Sequence, residues 1–340
     1  MPIDIASLGE FGLIDRLTGA FALKHPQTLK GAGDDAAVID TGKALTLVST
    51  DLLLEGIHFD LVYTPLAHLG YKTVVAGISD IYAMNGTPKQ ITVSIGISAR
   101  FALEQVEELY KGIKIACDKY EVDLVGGDTT ASLTGLTISI TAVGEAAKEK
   151  IVYRSGAKEH DLICVTGDLG SAYLGLKLLD REKRVLDGVK NPEPKFEGYE
   201  YLLQRQLKPE AQKLAIEEMD KNGIVPTAMI DLSDGLASDL LQICKASKTG
   251  ARIYLERIPI AKETFALAKE LNIDPVVAAL NGGDDYELLF TVPLAKQNEI
   301  ANIPGAEIIG HIVPESKGAA LTTPDGQEIA LSAPGFGTFE

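Results

Sequence analysis

Apolar and polar positions along this chain switch repeatedly between two periods, and the switches mark the predicted elements. Residues 44–50 (Ala-Leu-Thr-Leu-Val-Ser-Thr) read as a buried strand, and residues 66–84 read as a helix. That helix should end before Asn85-Gly86-Thr87-Pro88, because Asn-Gly and Pro both interrupt helical backbone. Gln90 to Ile97 alternates as a half-buried strand, Leu103 to Lys119 is amphipathic, Val122 to Val125 is a short strand, and Leu136 to Val143 alternates again. Strands interrupted by two helices predict an α+β first half.

The stretch Glu145 to Lys150 is charged and poor in bulky apolar residues, so a domain boundary is expected there, giving domains 1–147 and 148–340. The second half reads as α/β. A strand over 162–166 and a helix through Leu179 precede a charged, proline-bearing stretch, 181–208, expected as an exposed excursion. Helix 209–221, strand 227–231, helix 233–248, strand 252–255 and helices through 262–280 follow. Strands at 286–292, near 306–311 and at 319–323 complete the pattern. No fixed-period repeat is visible.

Composition adds limits. At 340 residues the chain exceeds what one core usually holds. Its net charge of −16 argues against a nucleic-acid partner, since phosphate backbones attract basic faces. No apolar run approaches the ~18 residues of a membrane span, and the first residues lack a basic-then-apolar signal. Cys117, Cys164 and Cys244 have no paired spacing and sit in apolar runs, which reads as buried free thiols. A cytoplasmic location is the expectation.

The chemistry lies in recurring acidic steps. Nine aspartates occur at six places: Asp34 and Asp35, Asp51, Asp80, Asp128, Asp231 and Asp234, Asp284 and Asp285. Most follow apolar, β-prone runs, which predicts carboxylates gathered at strand ends. Such groups repel one another unless cations lie among them. Several magnesium ions holding a polyphosphate would satisfy that pattern. Each site also has a plainer explanation. Gly33-Asp34-Asp35 makes a good turn, Asp80 fits a solvated helix face, and Ser233 or Asp234 could cap the following helix. Gly126-Gly127-Asp128-Thr129-Thr130 is sharper, because glycines admit close approach and the following amides and hydroxyls suit phosphate oxygens. His58 could contact a phosphate or pack on Phe59, and Arg154 could bind phosphate or form a surface ion pair. A P-loop, the protein-kinase His-Arg-Asp set and a dinucleotide-binding Gly-x-Gly-x-x-Gly are all absent, so any phosphoryl chemistry must rest on metals.

Taken in order, these motifs resemble one family. Gly9-Glu10-Phe11-Gly12-Leu13-Ile14, Gly33-Asp34-Asp35-Ala36-Ala37-Val38, Ser49-Thr50-Asp51 and Glu55-Gly56-Ile57-His58-Phe59 are similar to thiamine-monophosphate kinases. So are Ser79-Asp80-Ile81, Gly126-Gly127-Asp128-Thr129-Thr130, Arg154-Ser155-Gly156-Ala157 and Val165-Thr166-Gly167-Asp168-Leu169-Gly170. Asp231-Leu232-Ser233-Asp234-Gly235-Leu236 and Gly282-Gly283-Asp284-Asp285-Tyr286-Glu287-Leu288 complete the match, which spans nearly the whole chain. The family lies in the aminoimidazole ribonucleotide synthetase superfamily.

The resemblance implies ATP-dependent phosphorylation of thiamine monophosphate to thiamine diphosphate, the last step of thiamine diphosphate biosynthesis. It implies Mg(2+) held by Asp35, Ser49, Thr50, Asp51, Asp80, Asp128, Asp231 and Asp234. ATP contacts would fall on Gly127, Asp128, Arg154 and Ser233, and substrate contacts on His58, Asp284 and Phe336. The implied fold has an N-terminal domain whose mixed sheet joins its twin in a homodimeric β-barrel, with a C-terminal α/β domain completing the site. The family usually ends in Gly-aromatic-Asp-His-Phe, whereas this chain has Gly335-Phe336-Gly337-Thr338-Phe339. A selenophosphate synthetase would want a reactive cysteine near the start, and the first here is Cys117. A non-catalytic calcium module would want Asp-x-Asp-x-Asp-Gly spacing, which is also missing.

Overall fold

The computed structural model describes residues 24–188 and 194–333. Phe336 and the Gly9 to Ile14 motif therefore lie outside the described residues. The first sheet is built from β1 (Thr28–Lys30), β2 (Ala37–Asp40), β3 (Leu45–Leu54), β4 (Thr87–Ile97), β5 (Asp123–Ala131) and β6 (Thr137–Ala146). Its spatial order is β1-β2-β3-β6-β4-β5, and only β4 and β5 run parallel. The helices α1 (Leu66–Ala83) and α2 (Leu103–Tyr120) cover one face. They cross closely enough that a Cβ on Gly112 would lie 1.8 Å from the Ala67 carbonyl oxygen.

Alternation decides which side chains meet those helices. On β3, Leu45, Leu47 and Leu53 are buried toward α1, while Thr46, Val48, Thr50 and Leu52 face away. The outward face continues through Thr137, Ser139 and Thr141 of β6 and Thr92 and Ser94 of β4, all small or β-branched. Within one chain the six described strands form an open sheet.

The second sheet contains β7 (Leu162–Val165), β8 (Ala228–Asp231), β9 (Thr249–Tyr254), β10 (Leu288–Val292), β11 (Glu307–Pro314), β12 (Ala319–Thr322) and β13 (Glu328–Ala330), in the order β13-β12-β9-β11-β7-β10-β8. Its helices are α3 (Ser171–Leu186), α4 (Glu200–Leu207), α5 (Lys213–Lys221), α6 (Leu236–Ser247), α7 (Lys262–Leu271) and α8 (Pro275–Asn281). β7, β8 and β10 are buried along their whole length, which explains their uninterrupted apolar runs.

Three expectations need correction. β3 runs past Thr50 to Leu54, so Asp51 lies inside a strand and not at its end. β5 continues through Gly126 and Gly127 to Ala131, which puts Asp128 in mid-strand too. The stretch 181–208 holds the end of α3 and all of α4, and it buries Leu202 and Gln206. Its surface charge masked a helix whose inner residues pack on the second sheet's helices. Among the described residues, no helix is long and apolar enough to cross a membrane.

Candidate active site

The acidic residues converge where α1 of the first layer meets the loops of the second sheet. One carboxylate oxygen each from Asp35, Asp80 and Asp231 lie within 4.8 Å of one another. Asp35 ends the turn before β2, Asp80 sits near the end of α1, and Asp231 closes β8. Hydroxyls stitch these elements together. Ser79 donates to Asp231 Oδ2 at 2.7 Å, and Ser49 donates a very short bond to Asp80 Oδ2. Asp80 thus serves the cluster from a helix face that patterning reads as solvated.

Burial makes this cluster electrostatically costly. It pushes the Asp35 carboxyl up to about 7 against the opposing pull of Arg154, and Asp231 and Asp34 push the same way. Burial raises Asp51 to about 6, and it raises Asp231 to about 6 despite the Ser79 bond and Arg154. Asp80 is lifted well above the carboxylate range by burial and then by Asp51, Asp231 and Asp35. Arg154 supplies one cation, with its guanidinium 2.8 Å from Asp35 Oδ1. The buried oxygens Asp35 Oδ2 and Asp51 Oδ2 have no hydrogen-bond partner. Orphaned buried carboxylate oxygens among converging aspartates form a donor set of the hard, oxygen-only kind that suits magnesium.

A cleft of about 680 Å3 is lined by Asp51, His58, Lys72, Ser233, Asp234 and Asp284, among others. Two loops shape one wall. The Asp284 N–H donates to the Ser233 carbonyl at 2.8 Å and the Tyr286 N–H donates to the Leu232 carbonyl at 2.9 Å. To make these bonds, Asp284 and Tyr286 both adopt left-handed backbone, at φ of 60° and 51°. Non-glycine residues seldom accept that conformation, and such strain concentrates at functional sites. Gly283 has φ of 70°, and a Cβ there would lie 2.5 Å from the Ser233 carbonyl oxygen. The cap of α6 is neither Ser233 nor Asp234. Asp239, inside the helix, accepts the Gly235 N–H at 3.1 Å and the Asp234 N–H at 3.3 Å, leaving Ser233 and Asp234 exposed to the cleft.

His58 accepts the Leu54 N–H on Nδ1 at 3.0 Å, which leaves Nε2 as the protonated nitrogen of the neutral ring. Its burial lowers its pKa against the charge of Asp284. Burial acts to raise Asp284, but the Lys72 ammonium 2.9 Å away prevails and holds it below its ordinary value.

Other expected residues are not brought together. Thr50 lines the cleft, but its hydroxyl donates to the Ile140 carbonyl at 2.9 Å and is engaged on β6. Asp128 pairs in register with Ser94 on the outward face, and β6 and β4 separate its strand from β3. Three interstrand steps amount to ~14 Å. Asp128 and Gly127 therefore cannot reach the Asp35, Asp80 and Asp231 cluster of their own chain. Gly127 has a packing reason to be glycine, since a Cβ would lie 1.8 Å from the Val93 carbonyl oxygen.

Sequence patterning missed Lys72 and Arg205. Lys72 is a single charge in the buried run of α1. Arg205 pairs with Glu287 at 2.8 Å, and burial and Arg205 pull the neighbouring Asp285 carboxyl in opposite directions, leaving it at about 7. A charge within an apolar helical stretch was the available signal for Lys72.

Known proteins resemble this chain in sequence and fold. Residues 33–146 match AIR synthase related protein, N-terminal domain, and residues 158–322 match the corresponding C-terminal domain. The thiamine-monophosphate kinase of Bacillus subtilis is 30% identical over 98% of this chain and 100% of its own length. That of Aquifex aeolicus is 34% identical over 86% of this chain and 89% of its own length.

The chain belongs to the thiamine-monophosphate kinase family.

Members of this family are thiamine-phosphate kinases, and this chain is an enzyme of that class. The solved structure described as AaThiL complexed with AMPPCP and TMP superposes with a TM-score of 0.81 at 32% identity, covering 97% of both chains. A HypE–HypF complex, 19% identical with a TM-score of 0.72 and covering 94% of this chain and 98% of that one, shares the fold alone. The two-part, mixed-sheet architecture is thus that of the AIR synthase related proteins.

Proposed function

We propose that this chain transfers the γ-phosphoryl group of ATP to thiamine monophosphate, directly and in line, giving thiamine diphosphate and ADP. The carrying observation is the cluster of Asp35, Asp80 and Asp231, whose charges act on Asp51 and Asp234, two aspartates lining a cleft of about 680 Å3. The relative solved with AMPPCP and TMP bound supports the same pair of reactants. The acceptor phosphate has a second pKa of roughly 6, so it is a largely ionised nucleophile near pH 7 and needs no strong general base. The difficulty is bringing two polyanions together.

Asp35, Asp51, Asp80 and Asp231, with Asp234 and Ser49, would hold several magnesium ions. Such ions supply charge neutralisation at the transferring phosphoryl group. Arg154 and Ser233 are assigned to the nucleotide, and His58 and Asp284 to the acceptor. The strained clamp between the Ser233 and Asp284 loops fixes the distance between those two binding halves. Because the ionised acceptor phosphate is itself the nucleophile, direct transfer needs no phosphoenzyme.

We further propose that the active form is a homodimer. β5 is an edge strand exposed along its whole length, including Leu124 and Val125, and a long exposed apolar edge invites pairing. The small outward face of the first sheet suits the interior of a barrel closed by a second copy. Asp128 and Gly127 would then serve a site by way of the partner chain. In this reading residues 1–147 bind metal and nucleotide and form the dimer, residues 148–340 complete the cleft, and the enzyme works in the cytoplasm. The deciding assay is ADP release over an acceptor panel of thiamine, thiamine monophosphate, aminoimidazole precursors and selenide. Turnover only with thiamine monophosphate is expected. Absence of that turnover, or trapping of a labelled phosphoenzyme from labelled ATP, refutes the proposal.

A further inference from the structure

The cleft is strongly acidic, and among the described residues lining it Lys72 is the one lysine or arginine. Its side chain is only 7% exposed. The ammonium is held by Asp284 Oδ2 at 2.9 Å and by the Gln206 carbonyl oxygen at 3.2 Å. Burying a lysine stem in the apolar face of α1 is unfavourable unless the charge is used, because a methionine of like size would pack there without desolvation. Lys72 and Ser79 stand two helical turns apart on the same face of α1, a rise of ~10 Å. The ammonium and the carboxylates of Asp51 and Asp234 line the same cleft, which offers a bound phosphoryl group a cation as well as metal-type ligands.

We infer that Lys72 is the residue that selects a phosphorylated acceptor, by exchanging its resident partner Asp284 for the incoming phosphate. This rests on the kinase reading above. The acceptor carries a permanent ring cation as well as a phosphate dianion. Its cation replaces the ammonium on Asp284 while the ammonium turns to the phosphate. Both resident charges stay compensated, so neither the buried ammonium nor the half-buried carboxylate is left unpaired. An acceptor without phosphate, such as thiamine, offers Asp284 a cation but leaves Lys72 with nothing to take.

The test compares thiamine monophosphate with thiamine in Lys72→Met. The KM for thiamine monophosphate should rise roughly 10- to 100-fold, the range of a lost charge-assisted contact, with a smaller change in kcat. The inhibition constant of thiamine against thiamine monophosphate should stay level or fall, because Asp284 is released. Equal weakening of both ligands, or an unchanged KM, overturns the assignment, since a merely structural lysine would affect both alike. Asp284→Asn provides an independent reading should the first variant not fold. With Lys72 unpaired, inhibition by inorganic phosphate should strengthen and inhibition by thiamine should weaken, and unaltered phosphate inhibition is the refuting result. Wild-type turnover of thiamine monophosphate separates the two levels. If it is absent the kinase reading fails, and if it is present with unmoved discrimination only the role of Lys72 fails.

Discussion

Replacing Asp231 by Asn should make the protein more stable and less active at once. Asp231 is 3% exposed and has its carboxylate within 4.8 Å of those of Asp35 and Asp80. At an effective dielectric constant of 20, two unit charges at that separation repel by about 3 kcal/mol. The asparagine oxygen can still accept the Ser79 hydroxyl, so the substitution removes charge with little loss of bonding. The sign follows from proton linkage. Burial and neighbouring charge raise Asp35 from 3.8 to about 7 and Asp231 from 3.8 to about 6 in the folded protein. Between those values and 3.8 the folded state binds more protons than the unfolded chain, so wild-type stability falls as pH rises. At pH 4 the variant and wild type should unfold alike. By pH 8 in EDTA the variant should be ahead by about 2 to 3 kcal/mol, or roughly 3 to 4 °C in melting temperature for a chain of this length. Magnesium should raise the wild-type melting temperature at pH 8 and the variant's by much less. Turnover should drop by orders of magnitude. The measurement is thermal unfolding across pH with and without magnesium, beside ADP release. A variant less stable than wild type at pH 8 in EDTA, or equally shifted by magnesium, refutes the shared-cation account of this cluster.

Mixing two inactive variants tests the proposed exchange across the dimer. Asp128→Asn and Asp80→Asn, each inactive alone, should together recover about a quarter of wild-type turnover, because half of randomly paired dimers hold one intact site. No recovery after verified subunit exchange counts against Asp128 acting in the partner's site. Arg205→Met strands the buried Glu287 and Asp285 carboxylates, and chemical denaturation should register a loss of about 3 to 5 kcal/mol. A loss below 1 kcal/mol would show the network to be dispensable. Gly283→Ala meets both an unfavourable φ and the Ser233 carbonyl, so kcat should fall with the fold kept. Unchanged kcat would mean that the two loops need not stay clamped.

The sequence made most elements legible because their periods are clean. The helix over 66–84 and the buried run at 162–166 differ from α1 and β7 only at their ends. What stayed hidden depended on tertiary context. The strand expected over Val122 to Val125 should stop before Gly126-Gly127, yet β5 keeps both in the ladder, and Val93 lies too close to Gly127 for any side chain there. Asp80 fitted a solvent-facing helix position because the second sheet that meets this helix face lies some 150 residues later, where Ser79 reaches Asp231. Lys72 and Arg205 carry no motif, and only the folded chain reveals which carboxylates need their charges. The aspartates themselves were legible as a set, whereas the split between the inner cluster and Asp128 required knowing the strand order.

The Ser79 hydroxyl reaches from α1 to Asp231 across the boundary between the two sheets. A cation seated there would share its ligands between both halves, so occupancy would act as a hinge pin. Amide hydrogen exchange should then slow at the junction of α1 with β8, remote from any backbone contact to the ion, while the strands within each sheet exchange as before.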